Sequence, residues 1–203
     1  MSPADHDPDA FAEELAGLKR DGCAVLVISP PCGRARCEDL LGEDDRERKR
    51  VVVDTGQHSP VDDDRMVIDG GVRAVRSASA TAADPDRPGP GLETITSELL
   101  EGVQEFDPRE LEPGELRVCF GDAETLATRG GGDIRSYLET VCDQVRSRAG
   151  MGHCHLPVTS PIREEIEPIF DITVEVRSTP EGRQQRWLLH DADLDSGWLA
   201  IED

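Results

Sequence analysis

The stretch AVLVISPPCGRARCEDLLG, residues 24–42, has the pattern of a buried strand, a tight loop and a short helix. A strand that is apolar on both faces is typical of the centre of a parallel sheet. In α/β proteins, a strand, loop and helix in this order also form the first half of many phosphate-binding nucleotide sites. The stretch therefore predicts an α/β fold, and its loop decides whether a nucleotide site is expected.

The loop lacks the residues that hold phosphate. A phosphate-binding loop needs a glycine-rich turn, a lysine for the outer phosphates and a Ser or Thr for magnesium. Here Gly33 is the one glycine, Pro30 and Pro31 remove N–H donors, and no Lys-Ser or Lys-Thr pair follows. Arg34 and Arg36 could contact an anion, although a solvated helix start is the simpler interpretation. Gly33, Arg34 and Arg36 are thus candidates for cofactor binding, but no cofactor is predicted.

The segment ELRVCFGDAETL would supply the second half of such a site. In an intact nucleotide site of this kind, the second half is a hydrophobic strand that ends in an aspartate, and this aspartate acts on magnesium. In this sequence Gly121 follows the apolar run directly, and Asp122 comes one residue later. A shift of one residue turns a side chain to the other face of a strand. Asp122 is a further cofactor-binding candidate, and capping of the turn after the strand is the favoured interpretation.

The rest of the chain alternates helical and strand patterns, which predicts one α/β domain over residues 1–203. We expect three layers, with a mostly parallel central sheet and an antiparallel C-terminal hairpin at its edge. The stretch 79–91, rich in Ala, Pro, Asp and Gly, predicts a flexible loop. Helices are predicted at 7–22, 34–41, 92–106, 133–150 and 161–170, strands at 23–28, 50–54, 72–77, 116–120 and 153–158, and the hairpin at 172–176 and 186–190.

The charge balance argues against a nucleic-acid partner and favours a cytoplasm with high salt. The chain has 43 acidic and 22 basic residues, a formal net charge of −21, and only two lysines. Nucleic-acid binding requires a basic face, so no nucleic-acid partner is predicted. Scattered acidic residues with few lysines favour a halophilic archaeon, where molar salt reduces the Debye length to about 3 Å. No basic leader and no run of about 20 apolar residues is present, so we expect a cytoplasmic protein without a membrane partner.

The sequence His153-Cys154-His155 is the most ligand-like cluster. On a strand the two histidines share one face and Cys154 takes the other. Two imidazoles could hold zinc if a thiol or carboxylate joined them, but spacing identifies no such partner. His153 and His155 are therefore metal candidates, and no metal is predicted. Cys32 and Cys37 have no second Cys or His pair nearby, which favours free thiols.

The order of elements supports a family resemblance. The segments FAEELAGLKRDGCAVLVIS, ELRVCFGD, GMGHCHLPV, EPIFDITVEVR and QQRWLL resemble those of an uncharacterised haloarchaeal family of degenerate RecA/KaiC-like domains, related to P-loop NTPases. The resemblance covers residues 11–199. In the intact ATPases an aspartate follows the strand equivalent to 116–120, where this chain has Gly121. The resemblance implies a RecA/KaiC-like fold with an eroded nucleotide site.

Three functions remain open at this point. The first is a non-catalytic domain that acts as a regulatory or protein-interaction module, with another protein or a second copy as its partner. The second is a nucleotide-binding or nucleotide-hydrolysing protein with an atypical phosphate loop. The third is a metal-binding protein centred on His153 and His155. The chain has no G-x-S-x-G nucleophile elbow, and no catalytic residue or enzymatic activity is predicted.

Overall fold

A central sheet with helices on both faces forms the body of the protein. The structure is a computed structural model that describes residues 7–30, 37, 40–41, 48–55, 65–70, 90–129 and 131–201. Within these residues the helices are α1 Pro8–Asp21, α2 Leu92–Gln104, α3 Ala123–Arg129, α4 Ile134–Arg146 and α5 Arg163–Ile166. The strands are β1 Cys23–Ser29, β2 Lys49–Asp54, β3 Arg65–Asp69, β4 Leu116–Asp122, β5 Met151–Pro157, β6 Ile172–Thr179, β7 Gly182–Leu189, β8 Leu194–Asp195 and β9 Leu199–Ala200.

The strand order in the sheet is β3-β2-β4-β5-β1-β6-β7-β8, and β9 also pairs with β7. All pairs from β3 to β6 are parallel. The pairs that β7 forms with β6, β8 and β9 are antiparallel. This arrangement confirms the predicted mostly parallel sheet with an antiparallel C-terminal edge.

Alternate residues of β1 pack in two different apolar cores. Leu26 and Ile28 belong to the core beneath α2 and α4, which also contains Phe120. Val25 and Val27 belong to the core on the opposite face, against which α1 packs. Both faces of β1 are thus covered, as the apolar run at residues 23–28 predicted.

The start and end of α1 follow from its sequence. The Asp7 carboxylate accepts hydrogen bonds from the backbone N–H groups of Asp9 and Ala10, both at 3.1 Å. Gly22 ends the helix at φ +93°, a conformation that glycine adopts without steric cost. One face of α1 packs against the sheet through three half-buried apolar residues, Phe11, Leu15 and Leu18.

Strand β3 lies at Arg65–Asp69, where no strand was predicted from the sequence. The sequence RMVID is short, and its three apolar residues do not form a convincing pattern by themselves. Pairing with β2 provides the missing stabilisation, and Ile68 is buried while Val67 is 61% exposed. The strand predicted at 72–77 lies outside the described residues, as does the predicted loop 79–91 apart from residues 90 and 91.

No helix among the described residues combines the length and the apolar character that crossing a membrane requires.

Candidate functional site

The two predicted histidines lie side by side on β5, next to a cysteine of β4. His153 pairs with Cys119 across the β4–β5 ladder, and the ring centroids of His153 and His155 are 5.1 Å apart. Cys154, between the histidines in sequence, belongs to the core on the opposite face. The prediction that the two imidazoles share one face of the sheet is therefore confirmed.

A second thiol reaches this group from the segment that follows β1. Cys37 is helical and packs with Leu41, Val52 and Cys119 in a small apolar cluster. Its Sγ lies 3.2 Å from Nε2 of His153. One ligand atom each of Cys37, Cys119, His153 and His155, called here the Cys/His cluster, lies within 4.8 Å of the other three.

All four side chains of the Cys/His cluster are buried. Cys119 is fully inaccessible, and His155, the most accessible of the four, is 7% exposed. The Nε2 atom of His155 has no hydrogen-bond partner among the described residues. A buried polar atom without a partner costs free energy, so a hydrogen-bond donor or a metal ion at this nitrogen would be stabilising.

The Cys119 thiol differs electrostatically from the buried thiols of Cys23 and Cys142. Burial by itself raises its pKa, but the hydrogen bond with Cys37 and the charge of His153 hold the pKa well below the ordinary value of 9.0. For Cys23 and Cys142, burial raises the pKa to about 12. Thiolate is the form of cysteine that binds metals, and the surroundings of Cys119 favour it.

This arrangement is suited to holding an ion. Thiolates and imidazoles are the ligands that zinc prefers, and four of them complete a tetrahedral shell. Because the cluster is covered on all sides, it is better suited to binding an ion than to bringing a substrate to a reactive group. Sequence spacing could not identify Cys37 and Cys119 as partners, since the sheet brings them to the histidines.

Asp122 lies at the end of β4, where its carboxylate caps α3. It accepts a hydrogen bond from the backbone N–H of Thr125 at 2.7 Å, as the capping interpretation expected. The sequence predicted that Asp122 faces the other side of the strand, because it lies one residue beyond the position after the apolar run. The structure does not show this shift. A bulge between Cys119 and Asp122 inserts an extra residue, Gly121 has φ +87°, and Asp122 pairs with His155. The bulge thus gives Asp122 the register position that residue 121 would occupy in a regular strand.

The other cofactor-binding candidates, Gly33, Arg34 and Arg36, lie outside the described residues, as does Cys32. Of the loop residues that the sequence singled out, the structure describes Pro30, immediately after β1, and Cys37. The Cys/His cluster and the end of β4 are therefore the parts of the candidate sites that the structure describes.

The chain belongs to a family of unknown function, DUF7504, whose model matches residues 22–176. The matched region contains the whole Cys/His cluster and Asp122. A search of curated proteins found no match.

Solved structures identify the fold. In all, 261 chains match, and one of them is a KaiC-like protein from the hyperthermophilic archaeon Pyrococcus horikoshii. The identity is 12% and the TM-score 0.51, over 83% of this chain and 79% of that one. At such low identity the similarity concerns the fold alone, and the fold is RecA/KaiC-like.

Proposed function

We propose that this chain is a degenerate, non-catalytic RecA/KaiC-like domain that acts as a regulatory or protein-interaction module in the cytoplasm of a halophilic archaeon. The observation that carries the proposal is the use of the carboxylate at the end of β4. Asp122 is 4% exposed and is held by the N-terminal turn of α3. A magnesium-bound nucleotide would have to compete with this cap, which typically contributes about 1 kcal/mol.

The neighbouring position cannot supply the missing acid. A Cβ at Gly121 would lie 2.8 Å from Cγ2 of Thr55 and 3.3 Å from the carbonyl oxygen of Val53. Its φ of +87° adds strain for any other residue. Residue 121, which directly follows the apolar run of β4, is therefore restricted to glycine.

The loop sequence weakens nucleotide binding further. No lysine is present for the outer phosphates, no Ser or Thr for magnesium, and Pro30 and Pro31 donate no N–H. Each missing charged contact forfeits roughly 1.5–3 kcal/mol. Because about 1.4 kcal/mol is a tenfold change in affinity, several losses together move a micromolar site beyond millimolar.

Calorimetric titration with ATP and magnesium in molar KCl tests the proposal. We expect no saturable heat at submillimolar nucleotide and no release of phosphate. Circular dichroism of the same sample must show that the protein is folded. Saturable binding in the micromolar range would contradict the proposal.

A second candidate is a nucleotide-binding protein with an atypical phosphate loop. It is favoured by the bulge at Gly121, which places Asp122 opposite His155. If micromolar binding is found, the double variant Arg34→Ala, Arg36→Ala tests whether the two arginines bind the phosphates in place of the missing lysine. If they do, the variant should not bind nucleotide. In Asp122→Asn, the magnesium dependence of binding should disappear if this carboxylate acts on the metal.

The partner we propose is another protein or a second copy of the chain. Support comes from β3, the last strand of the described sheet on that side, where Val67 is 61% exposed. Among the described strands only β2 pairs with β3, and a strand at the edge of a sheet can pair with another chain. Light scattering in molar KCl distinguishes the two partners, because only self-association raises the mass of the purified protein. Val67→Asp should then lower that mass, whereas the matched control Val158→Asp, at a site 52% exposed, should not.

A further inference from the structure

We propose that Cys37, Cys119, His153 and His155 bind one structural zinc ion. This inference is independent of the proposed function, since it holds whether or not the domain binds a nucleotide or a partner. The four side chains come from three separate parts of the fold: the segment after β1, strand β4 and strand β5.

The distances suit a tetrahedral site that closes on its metal. Zinc lies about 2.3 Å from thiolate sulfur and about 2.0–2.1 Å from imidazole nitrogen, so ligand atoms of a tetrahedron are roughly 3.4–3.8 Å apart. In the structure, the four ligand atoms lie within 4.8 Å of one another. The pair of Cys37 Sγ and His153 Nε2, at 3.2 Å, is already within tetrahedral reach. Shifts of about 1 Å or less complete the shell, and side-chain rotations can supply them.

The position of three ligands is fixed by the sheet. Cys119 and His153 are direct partners in the β4–β5 ladder, and His155 follows two residues later on the same face. Their Cα atoms are thus held by backbone hydrogen bonds of two buried strands. A preorganised set of three ligands needs only one further donor, and Cys37 supplies it.

Charge and hydrogen bonding support the same occupant. Two thiolates neutralise the charge of Zn²⁺, so that no net charge is buried, and an unbalanced ion would be costly at this depth. One ring nitrogen of His155 is among the four grouped ligand atoms, and the His155 side chain contacts the Cys119 thiol.

The ligand types select the metal and its role. Sulfur and imidazole donors disfavour magnesium and calcium, which take oxygen ligands. Four protein ligands leave no open position for water or substrate, which is the pattern of a structural zinc site. The ion would attach the segment around Cys37 and Leu41 to the face of the sheet, where both residues pack with Val52.

The test begins with the metal content of the parent protein, residues 1–203. The protein is produced with zinc in the medium, kept in molar KCl, desalted without chelator and analysed by mass spectrometry of its metals. We expect about one zinc ion per chain. Replacement by cobalt(II) should give the absorption of a tetrahedral thiolate site, including the sulfur-to-metal charge-transfer band.

Matched variants identify the ligands. Cys37→Ser and His155→Gln should each lose most of the zinc and the charge-transfer band. Cys154→Ser is the control, because this thiol is equally buried and lies between the two histidines but on the opposite face. It should retain the full zinc content. Chelation should lower the melting temperature of the parent and of Cys154→Ser, but not that of Cys37→Ser.

Several results would overturn the zinc site. One is a folded parent protein that holds well under one zinc ion per chain after incubation with excess zinc. Others are a Cys37–Cys119 disulfide in the freshly purified protein, and iron or copper in place of zinc. Because the parent protein alone decides these outcomes, a ligand variant that fails to fold does not weaken the test.

Discussion

The backbone of Gly152 in β5 lies directly against the ring of Phe120 in β4. A Cβ at residue 152 would fall within 3.0 Å of three atoms of that ring. Phe120 is fully buried, so the ring has no open direction in which to move. The ring of Phe120 fills the space that a side chain at residue 152 would occupy, in keeping with the close packing of protein interiors.

Gly152→Ala should therefore destabilise the protein by about 1–3 kcal/mol, the usual cost of overpacking a core. Denaturant unfolding in molar KCl measures the change. Gly17→Ala is the control, because its Cβ would meet only the Arg20 side chain at 3.8 Å. Inside α1, that substitution should stabilise by about 0.5–1 kcal/mol. A Gly152→Ala protein as stable as the parent would contradict the contact.

The converse change, Phe120→Ala, should cost about 3–5 kcal/mol, since it deletes a fully buried ring from the larger core. Thermal melting and denaturant unfolding both report the loss. The two sites should also be coupled, because a smaller side chain at 120 leaves room for a methyl group at 152. In a Phe120→Leu background, Gly152→Ala should cost less than it does alone. A Phe120→Ala protein that melts within about a degree of the parent would show that the strand is peripheral.

Local patterns made much of this fold predictable, but not the order of its strands. The apolar runs of β1 and β4 identify central strands, and the turn signal near residues 180–181 identifies the hairpin. Alternation also assigns His153 and His155 to one face. No local pattern shows that β5 inserts between β4 and β1, and this insertion brings Cys119 to the histidines. The bulge was not predicted, because the strand expected from the sequence ended at residue 120, before Gly121; a glycine within a strand often marks a bulge, as Gly121 does.

Salt should control the stability of the whole chain. With a formal net charge of −21 and 3% aromatic residues, the folded state needs counterions to reduce its self-repulsion. We expect cooperative unfolding in molar KCl and partial loss of structure after dialysis to low salt. Far-UV circular dichroism and melting curves measure both. An identical spectrum and melting temperature at both salt concentrations would reject the halophilic interpretation.

An ion-pair network around Glu175 should make stability depend on pH in the acid range. Its two carboxylate oxygens accept hydrogen bonds from Arg163 at 2.8 Å and from Arg186 at 2.6 Å. Burial raises the pKa of Glu175, but the two arginines outweigh it, so the pKa lies below the ordinary 4.5. A carboxylate whose pKa is lower in the folded state than in the unfolded state stabilises the folded state at pH values above its unfolded-state pKa. This contribution is lost as the pH falls through the folded-state pKa.

Glu175→Gln should accordingly be less stable than the parent near neutral pH, by about 1–2 kcal/mol. The difference should persist down to the ordinary pKa of 4.5 and shrink below it, where the parent carboxylate also becomes protonated. Urea unfolding of both proteins at a series of pH values measures the gap. A gap that stays constant into strong acid would show that the charge of Glu175 contributes nothing.

The last prediction concerns Asp171, which joins the starts of β1 and β6 to the end of α4. One carboxylate oxygen accepts hydrogen bonds from the backbone N–H of Ala24 at 2.7 Å and from Nε of Arg146 at 2.9 Å. Arg146 also donates to the carbonyl oxygen of Ile169 at 2.6 Å, so the guanidinium is held on two sides. Removing the carboxylate leaves a strand N–H and a half-buried cation without their acceptor.

Asp171→Ala should therefore cost about 2–4 kcal/mol, as is usual when one partner of a buried pair is removed. Asp143→Ala is a matched control, since that carboxylate contacts the same arginine at 3.3 Å but its side chain is 78% exposed, against 20% for Asp171. Exposed pairs contribute little, so this change should cost less than about 0.5 kcal/mol. Asp171→Asn should fall between the two, because an amide oxygen still accepts from Ala24 without pairing the charge. Equal effects of Asp171→Ala and Asp143→Ala in denaturant unfolding would show that burial does not set the strength of this pair.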